Sequence, residues 1–485
     1  MMNISDILLS AALMTMVVPA SAKVVTYPAP EEAPRNDAFS VEVRQDGGKW
    51  QPVDVYAIKV DKTEGGKHNV VLTSVATFDF DGTAEVRVVS NRQEVKSCDV
   101  RPQSYAIAPA VSGDTITFTL DRPRQVSVEV NGDRFNNLQL FANPLDANAP
   151  ANPKKWSRKK ENIYIGPGYH KLDTIMVVGS GKTVYIAGGA YVDGYIHVKG
   201  DGVKVCGRGI IMPEKRGEGI YVMRSNDVEI EGIFTTQCPI GGSNRVKVDN
   251  VKVMSSYGWG DGFNVFASND VSYSNIFART SDDCTTVYAT RKGFNGGCRN
   301  ILTENAVLWA DVAHPFMIGL HGSAAELGAD APADTIQNVV YRNIDVLDMK
   351  ELQIDYQGVF AILAGDNNIV RDIRFEDIRV ENFRQGKLFD IRIPFNKKYC
   401  AAPGACIENI EFKDITYNGD RSELSLVVGY DEDHKVKGVH FTNLKINGEL
   451  IYDTMPGKPG WYKTSDMCRM YIGEHVEDVT FDVSH

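Results

Sequence analysis

Three carboxylic acids fall in one short window of the chain, at Asp261, Asp282 and Asp283. The first lies in Gly258-Trp259-Gly260-Asp261-Gly262-Phe263-Asn264 and the pair in Ser281-Asp282-Asp283-Cys284; a histidine follows in Asp311-Val312-Ala313-His314-Pro315. Carboxylates held close repel, so one must keep its proton at a pH where another is ionised. A protonated and an ionised carboxyl side by side can serve as general acid and general base. Each residue alone has an ordinary explanation, since Asp beside Gly suits turns and Asp-Asp doublets suit solvated loops. The spacing argues for more. Val265 to Arg279 reads as strand-turn-strand, and strands stacked as coils of one helix place residues one coil apart roughly 4.8 Å from each other. Asp261 then lies beside the Asp282-Asp283 pair. Neighbours on a strand face opposite sides, so both acids of the pair can serve one site only where the backbone bends.

Other side chains near the acids are candidates for holding a substrate. His314 is placed to hydrogen-bond an acid or the substrate, or to act as a structural residue under Pro315, and His321 competes for the same role. Trp259 offers a flat face on which an apolar face of a substrate could stack, or a loop-packing indole. Tyr288, Arg291 and Lys292 follow the pair and either line a groove or hold ordinary surface positions. Trp309 is expected inside a coil. Acid–base chemistry with water needs no cofactor, and no Cys-x-x-Cys or clustered His spacing indicates a metal.

The elements that must position these residues are strands. A loose motif recurs of a polar residue, a β-branched residue, alternation, then Asn or Asp and another β-branched run. It appears at Asn226-Asp227-Val228, Asn250-Val251, Asn269-Asp270-Val271, Asn300-Ile301, Asn338-Val339, Asp372-Ile373, Asn409-Ile410 and Gly438-Val439. Val251 to Val271 reads as one tight coil, and longer gaps later imply loops bulging from the turns. Such a repeat buries its apolar face only by stacking. The expected fold is all-β: a right-handed parallel β-helix over 151–485, its loops forming the walls of a groove. Before it, strands such as Phe39–Arg44, Val53–Val60, Ala84–Val89 and Gln125–Val130 are separated by Asp-Gly and Asn-Gly turns, which predicts a β-sandwich over 23–150. The Pro- and Asn-rich connector after Asn143 marks the boundary.

A net charge of -11 argues against nucleic acid or an anionic membrane as partner. The basic patch at 154–160 reads as solvated surface. The apolar run 7–18 is too short to span a bilayer and precedes Ala20-Ser21-Ala22, so residues 1–22 read as a signal peptide, with export to the periplasm or outside. No Cys follows that site to carry a lipid anchor, and no other stretch suits membrane insertion. Export permits disulfides among the eight cysteines, with Cys400–Cys406 and then Cys284–Cys298 as the expected pairs. A monomer is expected.

The order Asp-Gly, Asp-Asp one coil later, then His resembles the glycoside hydrolases of families 28 and 49. Residues Asp261, Asp282, Asp283 and His314 carry the likeness. The layout, together with Asn162-Ile163-Tyr164-Ile165-Gly166-Pro167-Gly168 and Gly207-Arg208-Gly209, is closer to family 49, the dextranase and isopullulanase group. The resemblance spans residues from about 130 to 450 and implies inverting hydrolysis of a polysaccharide or oligosaccharide. By the same resemblance Asp282 is the general acid, and Asp261 and Asp283 are bases that activate water. An inverting pair is expected about 6.5–9.5 Å apart. The family 28 polygalacturonases carry Arg-Ile-Lys on a coil after the His, but here Gly358-Val359-Phe360-Ala361-Ile362 has no cation. That favours a neutral glycan such as an α-glucan over polygalacturonate, although Arg291, Lys292, Lys350 and Arg392 offer positive charge by another route. Two other classes compete. A polysaccharide lyase on this fold wants a Lys or Arg base and usually calcium, and a glycan-binding β-helix needs no acid triad.

Overall fold

The computed structural model describes residues 23–484; the expected signal peptide lies outside them. The first part is a sandwich of two sheets. One runs in the order Val24–Thr26, Val70–Phe80, Leu138–Asn143, Arg124–Val130, Cys98–Arg101, with Val55–Asp61 also paired to Val70–Phe80. The other runs Gln51–Val53, Phe39–Arg44, Ala84–Ser90, Thr115–Leu120, Ala110–Ser112. Phe78, Phe80, Val86, Val88, Val126, Val128 and Leu140 fill the space between them.

From Asn162 onward the chain winds as a parallel β-helix. One sheet extends from Asn162–Ile165 to Val476–Asp482, and a second from Met176–Val178 to Met470–Ile472. The recurrent motif becomes an aliphatic ladder. Val228 pairs with Val246, and the register continues through Val271, Ile301, Val339, Ile373, Ile410 and Val439. All of these are buried. The polar member of the motif turns the chain between strands: Asp227, Asp270, Asn300, Asn338, Asp372 and Asn409 all have left-handed φ between 53° and 58°. Asn and Asp tolerate that conformation better than other side chains with a Cβ. The register also corrects one expectation, because Val271 pairs with Val246 and not with Val251. The coil is longer than read, since Ser255 to Gly262 bulges out of it and carries the first acid.

The sheet containing Leu138–Asn143 is buried on both faces, which is why that strand is continuously apolar or buried. Its second face, with Tyr56, Ile58, Val75 and Phe141, packs on Tyr191, Phe234, Met254, Phe277 and Trp309 of the coils. Trp309 is thus buried, but in this seam and not inside the coil as expected; Leu308 and Ala310 point into the coil instead. Buried arginines cross this seam. Arg279 pairs with Asp311 at 2.8 Å and donates to Asn137 Oδ1 and the Arg134 carbonyl; Arg208 pairs with Asp79, and Arg101 with Glu129 and Glu381. A buried cation of this kind holds its partner in one geometry, because separating the two leaves a charge without water.

The expected disulfides are absent: all eight cysteines are free thiols. Cys284 lies 3.2 Å from Thr280 Oγ1, Cys298 donates to the Tyr288 carbonyl, and Cys400 points at the Leu320 carbonyl. A short loop between two cysteines in sequence does not aim their side chains at each other.

Candidate active site

The acids sit on the turns that lead into the second sheet. Phe263 pairs with Thr285, and Thr285 with Phe316. Asp261, Asp283 and His314 each stand two residues before these partners, so they hold equivalent positions in three successive coils. Backbone bonds fix that alignment, from Gly262 N to the Asp283 carbonyl and from Cys284 N to the His314 carbonyl, both 2.8 Å. The bend needed between the paired acids is present. Thr280 Oγ1 donates to the Asp282 carbonyl, and the Asp283 N–H donates to Asp282 Oδ1 at 3.0 Å. Asp282 therefore turns back toward Asp261 and Asp283.

Each of the three carboxylates offers an oxygen within 4.8 Å of the others. This is closer than the expected separation of an inverting pair. Asp283 is buried, whereas Asp261 and Asp282 reach partly into an open cleft of about 570 Å³. Burial, and then the charges of Asp261 and Asp283, push the Asp282 carboxyl well above the usual carboxylate range. Burial and the Asp283 charge push Asp261 up to about 6, against a hydrogen bond donated by Asn264 Nδ2 at 2.6 Å. Of Asp261 and Asp282, Asp282 therefore keeps its proton longer. Three oxygens at this spacing also match a divalent cation, but a proton on Asp282 relieves the same repulsion.

His314 is buried behind Asp283. Its Nδ1 is 2.6 Å from Asp283 Oδ1, and its Nε2 meets the Tyr356 carbonyl. Burial pulls its pKa down, but Asp283 and the two acceptors outweigh that and hold it up at about 9. At neutral pH both nitrogens then donate. Of the roles expected for His314, the bond to an acid is the one present, and its other ring nitrogen is engaged by the Tyr356 carbonyl. His321 lines the cleft with Nδ1 buried and without a hydrogen-bond partner, and burial followed by Arg291 pulls its pKa down to about 3. It is the neutral histidine of the site.

Tyr288 is not a surface residue. It is buried, and its hydroxyl donates to Asp283 Oδ2 at 2.9 Å while its ring meets His321 edge-on. Trp259 is 77% exposed at the cleft with the Arg216 guanidinium 4.9 Å from its ring. Arg291 and Lys292 line the cleft, and Lys292 lies 3.6 Å from Glu218. The other two cations singled out are engaged elsewhere, Lys350 on the Thr63 carbonyl and Arg392 on Asp390. The Phe360–Leu363 strand is wholly buried, so no cation enters from that coil. Sequence reasoning did not assign Asn264, Glu351, Tyr399, Arg216 or His68, all of which line or support the site. His68 comes from the sandwich and carries no local motif.

No protein-family model matches the chain, and no curated protein matches it. Among solved structures, Dex49A from Penicillium minioluteum is similar over 94% of this chain and 96% of its own, with a TM-score of 0.64 at 13% identity. A family 28 exopolygalacturonase from Yersinia enterocolitica matches 83% of this chain and 97% of its own, with a TM-score of 0.46 at 11% identity. In fold, the chain is similar to Dex49A over nearly the whole of both chains.

Proposed function

We propose that the protein is an exported, monomeric glycoside hydrolase that cleaves a neutral polysaccharide or oligosaccharide, such as an α-glucan, with inversion and without a cofactor. The observation that carries this reading is the stacking of Asp261, Asp283 and His314 in register, with Asp282 beside them at the floor of an open cleft. Asp282, protonated, donates to the leaving glycosidic oxygen. Asp261 and Asp283 share the attacking water. Two hydrogen bonds of about 2.8 Å at a near-tetrahedral angle span about 4.6 Å, so acceptors this close suit one water between them. His314 and Tyr288 hold Asp283 in position by donating to both of its oxygens.

Charge in the cleft supports a neutral glycan. Arg216 is stacked on Trp259, Lys292 faces Glu218, and Lys350 and Arg392 are engaged elsewhere. A uronate polymer is the second reading, favoured by Arg291, whose guanidinium has no acidic partner among the described residues. The test is release of reducing ends from a panel of neutral and uronate glycans by the purified protein. The reading expects cleavage of a neutral polymer without unsaturated product and with the anomer inverted. Unsaturated ends would indicate a lyase, a retained anomer would overturn the shared-water assignment, and binding without turnover would indicate a lectin-like role. Among the described residues no helix is long and apolar enough to cross a membrane.

A further inference from the structure

A second cavity, of about 510 Å³, lies in the seam between the sandwich and the first coils. Its walls are Ile58, Lys59 and Leu72 on one side and Tyr169, Tyr191 and Met212 on the other. Resting on the hydrolase reading, we propose that this groove binds the distal part of the same glycan chain, beyond the sugar units that bracket the acids.

The groove is continuous with the catalytic cleft, since Arg216 and Tyr257 line both. Its floor is aromatic. Tyr169 stacks on Tyr191 with centroids 5.8 Å apart and planes 12° apart, and Tyr191 in turn stacks on Tyr56. Where groove meets cleft, Tyr257 is 51% exposed and Trp259 77% exposed. These two rings stand out because the backbone is forced. Tyr257, Gly258 and Trp259 have φ of 75°, 65° and 44° in succession. Bulky residues rarely adopt the left-handed region, and surrounding structure must hold them there. Here the sandwich helps to hold them, because a Cβ on Gly258 would meet the His68 ring at 2.8 Å, and His68 is pinned by Asp61 at 2.7 Å. A loop that spends conformational energy to keep two aromatic rings in water is accounted for by a ligand that covers them, and apolar pyranose faces do so.

Charge selects the class of chain. Glu32, Asp193 and Glu214 face Arg35, Lys59 and Lys215 around the groove. With Arg216 the lining holds four cations against three carboxylates, a near balance that suits an uncharged, hydroxyl-rich ligand better than a polyanion.

The test uses isomalto-oligosaccharides of increasing length and polymeric dextran, with full-length protein. In the wild type, kcat/KM should rise with chain length. Tyr169→Ala should lower kcat/KM on dextran by roughly tenfold for the lost ring stacking, and Leu72→Ser should lower it through lost apolar contact, while the shortest cleaved oligosaccharide shows little change. Leu72 is 53% exposed, so its replacement keeps the test alive if Tyr169→Ala does not fold. Independently of turnover, Asp282→Asn protein should be retarded in native gels containing dextran, and less so with either groove substitution added. An unchanged length profile together with unchanged retardation in both variants would overturn the proposal and leave the hydrolase reading standing. A protein that cleaves only a uronate polymer would do the same. Retardation without hydrolysis of any glycan would support the groove and overturn the hydrolase reading.

Discussion

Asp283 and His314 face each other from successive coils, with Oδ1 and Nδ1 2.6 Å apart. The Asp283 charge and hydrogen bond, aided by Glu351 and by the Tyr356 carbonyl on the second imidazole nitrogen, outweigh burial and hold the ring's proton up to about pH 9, so it presents a positive charge to the acid. Replacing it by a neutral donor, His314→Gln, keeps a hydrogen bond but removes the charge. A charge-assisted bond contributes about 1.5–3 kcal/mol, so kcat should fall roughly 10- to 100-fold. KM should hardly move, since His314 has no free nitrogen for the sugar. Steady-state kinetics decide this, and a change confined to KM would contradict it.

Asp261 must be ionised to take a proton from water, and its carboxyl is raised to about 6. Below that pH it is protonated and inactive as a base, so kcat/KM should fall on the acid side of about pH 6. Asn264 lowers that value by donating to Asp261 Oδ2. In Asn264→Ala the ionised form loses its donor and the acid limb should move to higher pH. A pH–rate profile with the limb in place would show that another group controls it. The alkaline limb, where Asp282 loses its proton, should lie well above the usual carboxylate range.

The seam between sandwich and coils rests partly on Arg279, fully buried against Asp311. Arg279→Met leaves Asp311 with only Arg384 at 3.5 Å. Breaking a buried pair costs about 3–5 kcal/mol, and chemical denaturation should show a loss of that order. A loss under about 1 kcal/mol would mean that Arg384 suffices.

The acid cluster has the spacing of a cation site, but the proposed chemistry assigns its excess charge to a proton. Dialysis against a chelator should leave turnover unchanged. Activity lost on chelation and restored by calcium or magnesium would reassign the cluster.

Much of this architecture was legible because it is periodic. The β-branched ladder from Val228 to Val439 and the Asn or Asp at each bend read directly from the chain, and the coil spacing brought Asp261 next to Asp283. What was missed comes from places that periodicity does not reach. The Tyr356 carbonyl that engages His314 is a backbone atom of a short turn, with no side-chain signal. His68 and Lys59 come from the sandwich, nearly two hundred positions away, and meet the site only through the packing of one domain on the other. Tyr288 was read as lining the groove or lying on the surface, because nothing local shows that its hydroxyl turns onto Asp283 five residues back. The bulge that lengthens the coil before Asp261 hid the true register of Val271.

The assignment of Asp282 as the proton donor is tested most directly by comparing Asp282→Asn on two substrates. One is an isomalto-oligosaccharide, whose leaving sugar needs protonation. The other is its nitrophenyl glycoside, whose leaving group needs little. Turnover of the first should fall by roughly 10²–10⁴-fold, and the loss on the second should be much smaller, whereas Asp261→Asn should lose activity on both alike. Near wild-type turnover of the oligosaccharide by Asp282→Asn, or equal losses on the two substrates, would contradict the assignment.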